Sequence, residues 1–440
     1  MIKTKEILEN LERYEKFLVC YIAGVLKSLK EDKSELESEL IDVIKGRIHG
    51  LPLDILARYM DKMTEGHELN QKAGRALFGR HQALLHVAGL AAREAGGEVA
   101  NMPLLRMVES GEIYEKAFAH VTLACLGDSR AKDVLREEME RFSRVLRLSV
   151  LIILDRSGDQ QWVNLFLSRL EDPEPEVIAV CAGALGRCGN PGMAKNLLPL
   201  LSHAHEPLVI AVVRALGAMK AQEAVMPLME LSISTKSDRL RATVLTALGE
   251  VPEANTIQVI AKCLDHHDAR VRANAVMALS RKFTQIQRVD EEVLRRMKKL
   301  LHDSEHRVRA DAIQSLWELG RIEGLDSIET MMKEPNPYAR SSGAYLCGKL
   351  KLFQFREQLR ELTADDSWNV RKTAAIALLG LGSVGKATLE ELAESGSPDQ
   401  QVCAVMAISL AENAPGIERL FSAARSDRDL AELATELLLT

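Results

Sequence analysis

Residues 240–249 read Leu240-Arg241-Ala242-Thr243-Val244-Leu245-Thr246-Ala247-Leu248-Gly249. Counting Leu240 as position zero, the apolar or small residues at positions zero, four, seven and eight share one face of a helix at 3.6 residues per turn. The stretch therefore predicts a helix with one buried stripe. The pattern returns upstream as Val177…Cys181…Ala184-Leu185-Gly186 and Leu208…Val212…Ala215-Leu216-Gly217. Downstream it returns as Val271-Arg272…Ala275…Ala278-Leu279, Val308-Arg309…Ala312…Ser315-Leu316 and Ala339-Arg340…Gly343…Leu346. Val370-Arg371…Ala374…Ala377-Leu378 and Val402…Met406…Leu410 complete the run. The first positions are thus 177, 208, 240, 271, 308, 339, 370 and 402, and successive differences are 31, 32, 31, 37, 31, 31 and 32. Unrelated helices would not hold such a register.

Weaker copies stand at Phe118…Thr122…Cys125-Leu126-Gly127, Val145…Ser149…Ile152-Ile153 and Leu430…Ala434…Leu437-Leu438, giving about ten units. A second amphipathic segment precedes each patterned helix, as at Ala194 to Leu201, Val293 to Leu301 and Phe355 to Leu362. The joints carry capping and breaking residues, such as Glu171-Asp172-Pro173 and Glu334-Pro335-Asn336-Pro337. Each unit thus reads as helix A, turn, helix B. One unit cannot bury its own stripe, so units must stack. The expected fold is all-α: a right-handed α-α superhelix over residues 113–440, behind an N-terminal helical module at 1–112 that lacks the register. In that module Leu8, Leu11, Leu18, Ile22 and Val25 lie near one face of a long first helix, and further helices are expected at 34–46, 52–63 and 69–94.

The motif D-x-x-x-x-V-R-x-x-A-x-x-A-L-G, recurring once per step, resembles the short HEAT-like repeat of phycobilisome lyase subunits and their bacterial relatives. The resemblance covers roughly 115–440. It implies a HEAT-like solenoid, and it implies that Arg241, Arg272, Arg309, Arg340 and Arg371, with Asp238, Asp268, Asp303 and Asp366 just upstream, form a structural ladder between repeats. It also admits a subunit of a bilin-lyase-like or other cofactor-handling enzyme. HEAT-type deoxyhypusine hydroxylases hold di-iron with His-Glu dipeptides at matching positions. Here only His67-Glu68 and His205-Glu206 occur, out of register with each other.

Composition sets bounds on function. Aromatics are 4% of 440 residues against 47% hydrophobic, which suits close-packed helices. A net charge of −6 over 57 basic and 63 acidic residues argues against a body built as a nucleic-acid trap. Seven scattered cysteines without a C-x-x-C suit reduced thiols in the cytoplasm. The apolar run Phe17 to Leu26 is too short to span a bilayer, and no cleavage site follows a basic start. The sequence has no P-loop, G-x-S-x-G or H-E-x-x-H. No catalytic residue, metal ligand or cofactor is expected, and Cys125, Cys181 and Cys347 read as core positions. The His-bearing turns at 203–206, 265–268 and 302–306 read as caps and solvated edges. The first two lie two repeats apart, roughly 20 Å at about 10 Å per stacked pair, so they could not share an ion.

Two surface features remain. Between Arg270 and Arg309 lie eleven basic and five acidic residues, around the one long step, read as a loop insertion near 282–290. Arg281, Lys282, Arg288, Arg295, Arg296, Lys298 and Lys299 form a candidate docking patch for phosphate or an acidic partner. Nucleic acid is not favoured there, because aromatic interleaving is nearly absent. The exposed strip of helix B, at positions three, six and ten, is a candidate groove. It holds Leu148, Leu151, Val180, Arg214, Asn274, Asp311, Gln314 and Tyr345, apolar early and polar late. The apolar end needs cover from the N-terminal helices or a docked helix. The expected function is a cytoplasmic, non-catalytic scaffold that binds a protein partner along this groove.

Overall fold

The computed structural model describes residues 4–28, 84–85, 87–93 and 95–411. Regular structure among the described residues is helical throughout, with no strand, and the architecture is an all-α solenoid of the HEAT-like kind. The expected helices at 34–46 and 52–63, most of the one at 69–94, the His67-Glu68 dipeptide and the closing copy at 430–438 lie outside the described residues. No described helix is long and apolar enough to cross a membrane.

The described residues fall into two compact units, one up to Ala184 and one from Leu185 onward. The first holds α1 (Thr4–Ser28), α2 (Gly97–Ser110), α3 (Ile113–Cys125), α4 (Ser129–Glu138), α5 (Arg144–Arg156), α6 (Val163–Ser168) and the start of α7 (Pro175–Cys188). The expected face of α1 is its buried one: Leu11, Leu18, Ile22 and Val25 are sealed. Each such burial contributes about 1.5–3 kcal/mol. Helix α1 packs on α2, α3 and α5. The Tyr14 ring lies 5.2 Å from Phe118. Because Thr122 Oγ1 donates to the Phe118 carbonyl at 2.9 Å, the Tyr14 hydroxyl is the donor in its 3.3 Å contact with Thr122. Asn10 Nδ2 donates to Ser149 Oγ at 3.2 Å.

The second unit alternates short A helices with B helices. The pairs are α8 (Ala194–Leu197) with α9 (Glu206–Ala218), α10 (Val225–Ser234) with α11 (Asp238–Glu250), and α12 (Ile257–Lys262) with α13 (Ala269–Ile286). They continue as α14 (Glu291–Lys299) with α15 (His306–Glu318), α16 (Leu325–Met332) with α17 (Pro337–Lys349), α18 (Arg356–Leu362) with α19 (Trp368–Gly380), and α20 (Ser383–Ser395) with α21 (Pro398–Ala411). Side-chain caps start several of the B helices. Ser237 accepts from the Leu240 N–H, Asp268 from Arg270 and Val271, and Asn336 from Tyr338. The chain leaves through a left-handed residue at Gly189, Lys220, Gly320, Lys351 and Gly382, with φ between 52° and 71°. That exit keeps the period of the repeat.

Neighbouring B helices meet where the repeat places Gly at position nine. An added Cβ on Gly186, Gly217, Gly249 or Gly348 would come within 3.0 Å of Ala215, Ala247, Ala278 or Ala377, the position-seven residue of the next B helix. The Ala-Leu-Gly cluster is therefore half of an inter-repeat contact. Helix α13 has Ser280 in the Gly position, and its hydroxyl donates to the Ser315 carbonyl at 3.0 Å.

Two expectations are corrected here. The long step is not a loop from 282: α13 runs on to Ile286, because residues 281–286 contain no breaker and Phe283 is buried. The last repeat is shifted. Val402 is only half-buried, while Cys403, Ala404, Met406 and Ala407 are buried around an exposed Val405. That is the pattern of Ala374, Ala375, Ala377 and Leu378 around Ile376. Val405 therefore stands at position six, and the final step is shorter than the one before it.

Candidate binding face and its flanking turns

The turn from A to B is the most regular feature of the repeat. Its first residue accepts the backbone N–H two residues on: Asp303 from Glu305 at 2.9 Å, Asp365 from Ser367 at 2.8 Å, His266 from Asp268 at 3.1 Å. The same residue faces an arginine from the preceding B helix. Arg272 forks onto Asp303 with both bonds at 2.7 Å, and Arg340 onto Asp365 at 2.7 and 2.8 Å. Arg309 reaches Glu334 at 2.5 Å. Each of these arginines also donates Nη1 to a carbonyl six residues upstream, at 2.7–2.8 Å. One guanidinium thus ties its own turn to the next. In the first unit Arg147 reaches Asp172 in the same way, at 3.3 Å. The acid partners lie in the following repeat, and Arg340 selects Asp365, not Asp366. Arg371 is weaker, 3.6 Å from the exposed Asp399.

Burial alone would raise the carboxyls of Asp303 and Asp365. The paired guanidinium and the turn N–H outweigh it, so both are held below the ordinary aspartate value. Removing one partner leaves a largely buried charge, so Arg272→Ala is expected to destabilise by about 3 kcal/mol and Arg371→Ala by less than half that. Denaturant titration of the two variants checks the ranking. Because the folded values are lowered, this stabilisation is complete above about pH 4 and is lost as pH falls through the lower folded values. Wild type is expected to lose its advantage over Arg272→Ala in that acid window.

At Arg241 the turn residue is His266, and the geometry changes. His266 Nδ1 accepts the Asp268 N–H, and Nε2 faces Asp238 Oδ1 at 3.6 Å. Asp238 also accepts from Arg241 at 2.9 Å and meets His267 Nε2 at 3.0 Å. Asp238, His266 and His267 bring three ligand atoms within 4.8 Å of one another, as a metal site would. The surroundings do not suit one. A ligating imidazole donates its second nitrogen outward, whereas Nδ1 here accepts, and the Arg241 guanidinium lies 3.0 Å from Nε2. Burial, then the charge of His267, lowers the His266 pKa. The cluster is a rung in which a carboxylate from the preceding repeat supplies what the imidazole lacks.

The basic segment is largely neutralised. Arg281 pairs with Glu250, Arg295 with Glu292, Arg296 with Asp265 and Lys298 with Glu323. Arg288 and Lys299 remain exposed on the surface. Lys282 is not part of any surface: it is fully buried, and its Nζ finds no hydrogen-bond partner. Position eleven explains this, since Met219, Val251 and Leu381 are buried at the same place in other repeats.

The candidate groove residues also separate. Leu148 and Leu151 are buried in the first unit, where α1 covers α5, and Val180 is half-buried. In the second unit, positions four, eight and eleven face the A helices. At about 100° per residue, position six lies opposite them. The position-six residues are Arg214, Thr246, Met277, Gln314, Tyr345, Ile376 and Val405. The last three are exposed by 51%, 36% and 45%, so three successive B helices present a large apolar side chain on their free face. The expected trend from apolar to polar is reversed: the early apolar residues are covered, and the exposed ones lie at the C-terminal end. On the same face, Asn274 donates to the Ala242 carbonyl at 2.8 Å and Gln314 to Glu318 at 2.8 Å. Asp311 is half-buried and makes neither hydrogen bond nor ion pair among the described residues. Burial pushes its carboxyl up to about 6, against the pull of Arg307 and Lys349.

The family model for HEAT repeats matches at 130–214, 163–242 and 227–317. The matched stretch, 130–317, is made of HEAT-like repeats. The arginine ladder carries the HEAT geometry on through Arg340 and Arg371, beyond the matched stretch. No curated protein sequence matches the chain. Among solved structures, the complex of CpcE and CpcF of phycocyanin lyase from a Nostoc species is 19% identical, covering 54% of this chain and 97% of that one, with a TM-score of 0.32. Human deoxyhypusine hydroxylase is 16% identical over 59% of this chain and 98% of that one, at a TM-score of 0.27. Kap121p bound to Pho4p is 11% identical over 96% of this chain and 53% of that one, at 0.40.

Proposed function

We infer that this HEAT array is a non-catalytic scaffold that grips a protein partner along the free face of α15, α17, α19 and α21. The observation that carries this reading is the exposed line Tyr345, Ile376, Val405 on successive B helices. Apolar side chains aligned across three repeats form a strip that water solvates poorly, and such strips serve as contact surfaces. The pairing of the basic segment with acids of neighbouring repeats favours a protein partner over a phosphate backbone. The B-helix thiols are held protonated by burial, Cys347 up to about 12, which supports a structural role for them. Seven free cysteines suit a reducing compartment, and the cytoplasm is the proposed location.

A Tyr345→Ser, Ile376→Ser double variant should unfold at the wild-type temperature, since both side chains are already exposed. In parallel pull-downs from the native lysate, it should lose any stoichiometric partner that wild type retains. Retention of the same partners by a folded double variant would overturn the reading.

A further inference from the structure

We propose that the turn edge joining α11 to α13 is an acid-sensitive latch: neutral His266 holds it closed, and a second proton on that ring releases it. The rungs of Arg147, Arg272, Arg309 and Arg340 end on carboxylates, at Asp172, Asp303, Glu334 and Asp365. The rung of Arg241 meets an imidazole instead, 3.0 Å away.

A carboxylate in this place has lone pairs for two donors. Asp303 takes the Glu305 N–H together with the Arg272 fork, and Asp365 takes the Ser367 N–H together with the Arg340 fork. His266 stands between the same two kinds of donor. Its Nδ1 lies 3.1 Å from the Asp268 backbone nitrogen, and its Nε2 lies 3.0 Å from Arg241 Nη1. A neutral imidazole has one nitrogen free to accept, so it satisfies one donor and sets an N–H against the other. The imidazolium has no free nitrogen, and both donors then face an N–H.

The charges around the ring do not reverse this. From α11, Asp238 Oδ1 lies 3.6 Å from Nε2 and favours the proton, but that carboxylate already meets Arg241 at 2.9 Å and His267 at 3.0 Å. Arg241 opposes the proton. In the same turn, the exposed His267 ring has its centroid 4.2 Å from that of His266, so its protonation adds a second like charge. Asp268 favours the proton, although its carboxylate is committed to Arg270 and to the first N–H groups of α13. From α13, Arg272 donates to the His266 carbonyl at 2.7 Å, with its charge taken up by Asp303. Burial adds to the cost, and the balance holds the ring below its ordinary value of 6.5. The folded value thus lies below the unfolded one. The latch is fully stabilising above about pH 6.5 and is lost as pH falls from there through the lower folded value. The aspartate rungs hold until about pH 4, so this joint gives way first. The contact of Gly249 with Ala278 contains no titrating group, so the helices stay packed while the turn edge loosens.

Hydrogen exchange of the full-length chain at pH 7 and at about pH 5, corrected for the intrinsic rate, tests the latch. The turn at 364–371 is the internal reference, since it carries the Arg340 rung and no histidine. Amides of 264–272 should lose protection by about tenfold on acidification relative to that reference. His266→Asp restores the residue type of the Asp303 and Asp365 rungs, and His266→Asn keeps one acceptor and does not titrate. Each should hold its protection at the lower pH, and His267→Ala should keep most of the acid response. Equal protection of 264–272 at the two pH values in wild type would overturn the latch. So would an acid loss that survives in both His266 variants, or one that disappears in His267→Ala, which would place the titration on His267.

Discussion

Gly348→Val is expected to destabilise the second unit by about 3 kcal/mol and to reduce the cooperativity of its unfolding. The Cβ alone would lie 2.5 Å from Ala377 Cα, 2.9 Å from its Cβ and 3.0 Å from its carbonyl oxygen. Two of those atoms are backbone and the Cβ is fixed to it, so no rotamer change relieves the contacts, and α17 and α19 must part. Replacing a mid-helix Gly gains at most about 1 kcal/mol in helix propensity, and β-branched Val gains less. Overpacking a tight contact costs about 1–3 kcal/mol, more where backbones must move. The steric effect wins. In a repeat array a single interface couples the units on either side, so separating α17 from α19 also weakens cooperation along the stack. Denaturant unfolding should show a lower midpoint and a shallower slope. Gly320→Ala is a useful comparison: its left-handed φ of 71° strains any side chain, yet an added Cβ meets nothing within 4 Å. It should cost about 1 kcal/mol and leave the slope unchanged. If Gly348→Val behaves no worse than Gly320→Ala, the position-nine contact is not what sets the helix spacing.

This contact explains why the fold was legible in the chain. Every element of the repeat is decided locally or between adjacent repeats: caps such as Ser237 and Asp268, the left-handed exit after the B helix, and Gly at position nine against Ala at position seven. Local chemistry and periodicity are what a sequence displays openly. The ladder was legible for the same reason, although its partners lie one repeat ahead and not just upstream, because the turn residue folds toward the preceding helix.

The candidate surfaces were less legible, because exposure depends on what another part of the chain covers. Leu148 and Leu151 read as an apolar floor in need of cover, from the N-terminal helices or from a docked helix, and α1 supplies it. Seven cations of the basic segment read as a patch when counted in a window. Three of them pair with Glu250, Asp265 and Glu323 in neighbouring repeats, where a window does not reach. The exposed line Tyr345, Ile376, Val405 emerges only once the last step is shortened so that Val405 falls at position six, and burial decides that register.

Lys282 is the residue for which the register held the answer all along, and it yields the second large effect. It occupies position eleven, where Met219, Val251 and Leu381 are buried, so an amine stands in a slot built for a methyl group. Its Nζ has no hydrogen-bond partner, and burial lowers its pKa from 10.5 to about 8, against Glu253 and Glu250. The folded value lies below the unfolded one, so the charged amine opposes folding fully below about pH 8. That opposition fades as pH rises from about 8 toward 10.5, where both states become neutral. A shift of this size corresponds to about 3 kcal/mol. Lys282→Met keeps the length of the side chain and removes the charge. It is expected to stabilise the second unit by about 2–3 kcal/mol at pH 7, in keeping with replacements of buried charge by apolar groups of similar shape. The gain should shrink steadily between about pH 8 and 10.5, because wild type itself recovers over that range. Thermal melts of both proteins at pH 7 and pH 10 separate this account from a surface role. A Lys282 that reached solvent would give two curves differing by a few tenths of a kcal/mol at either pH, with no narrowing between them.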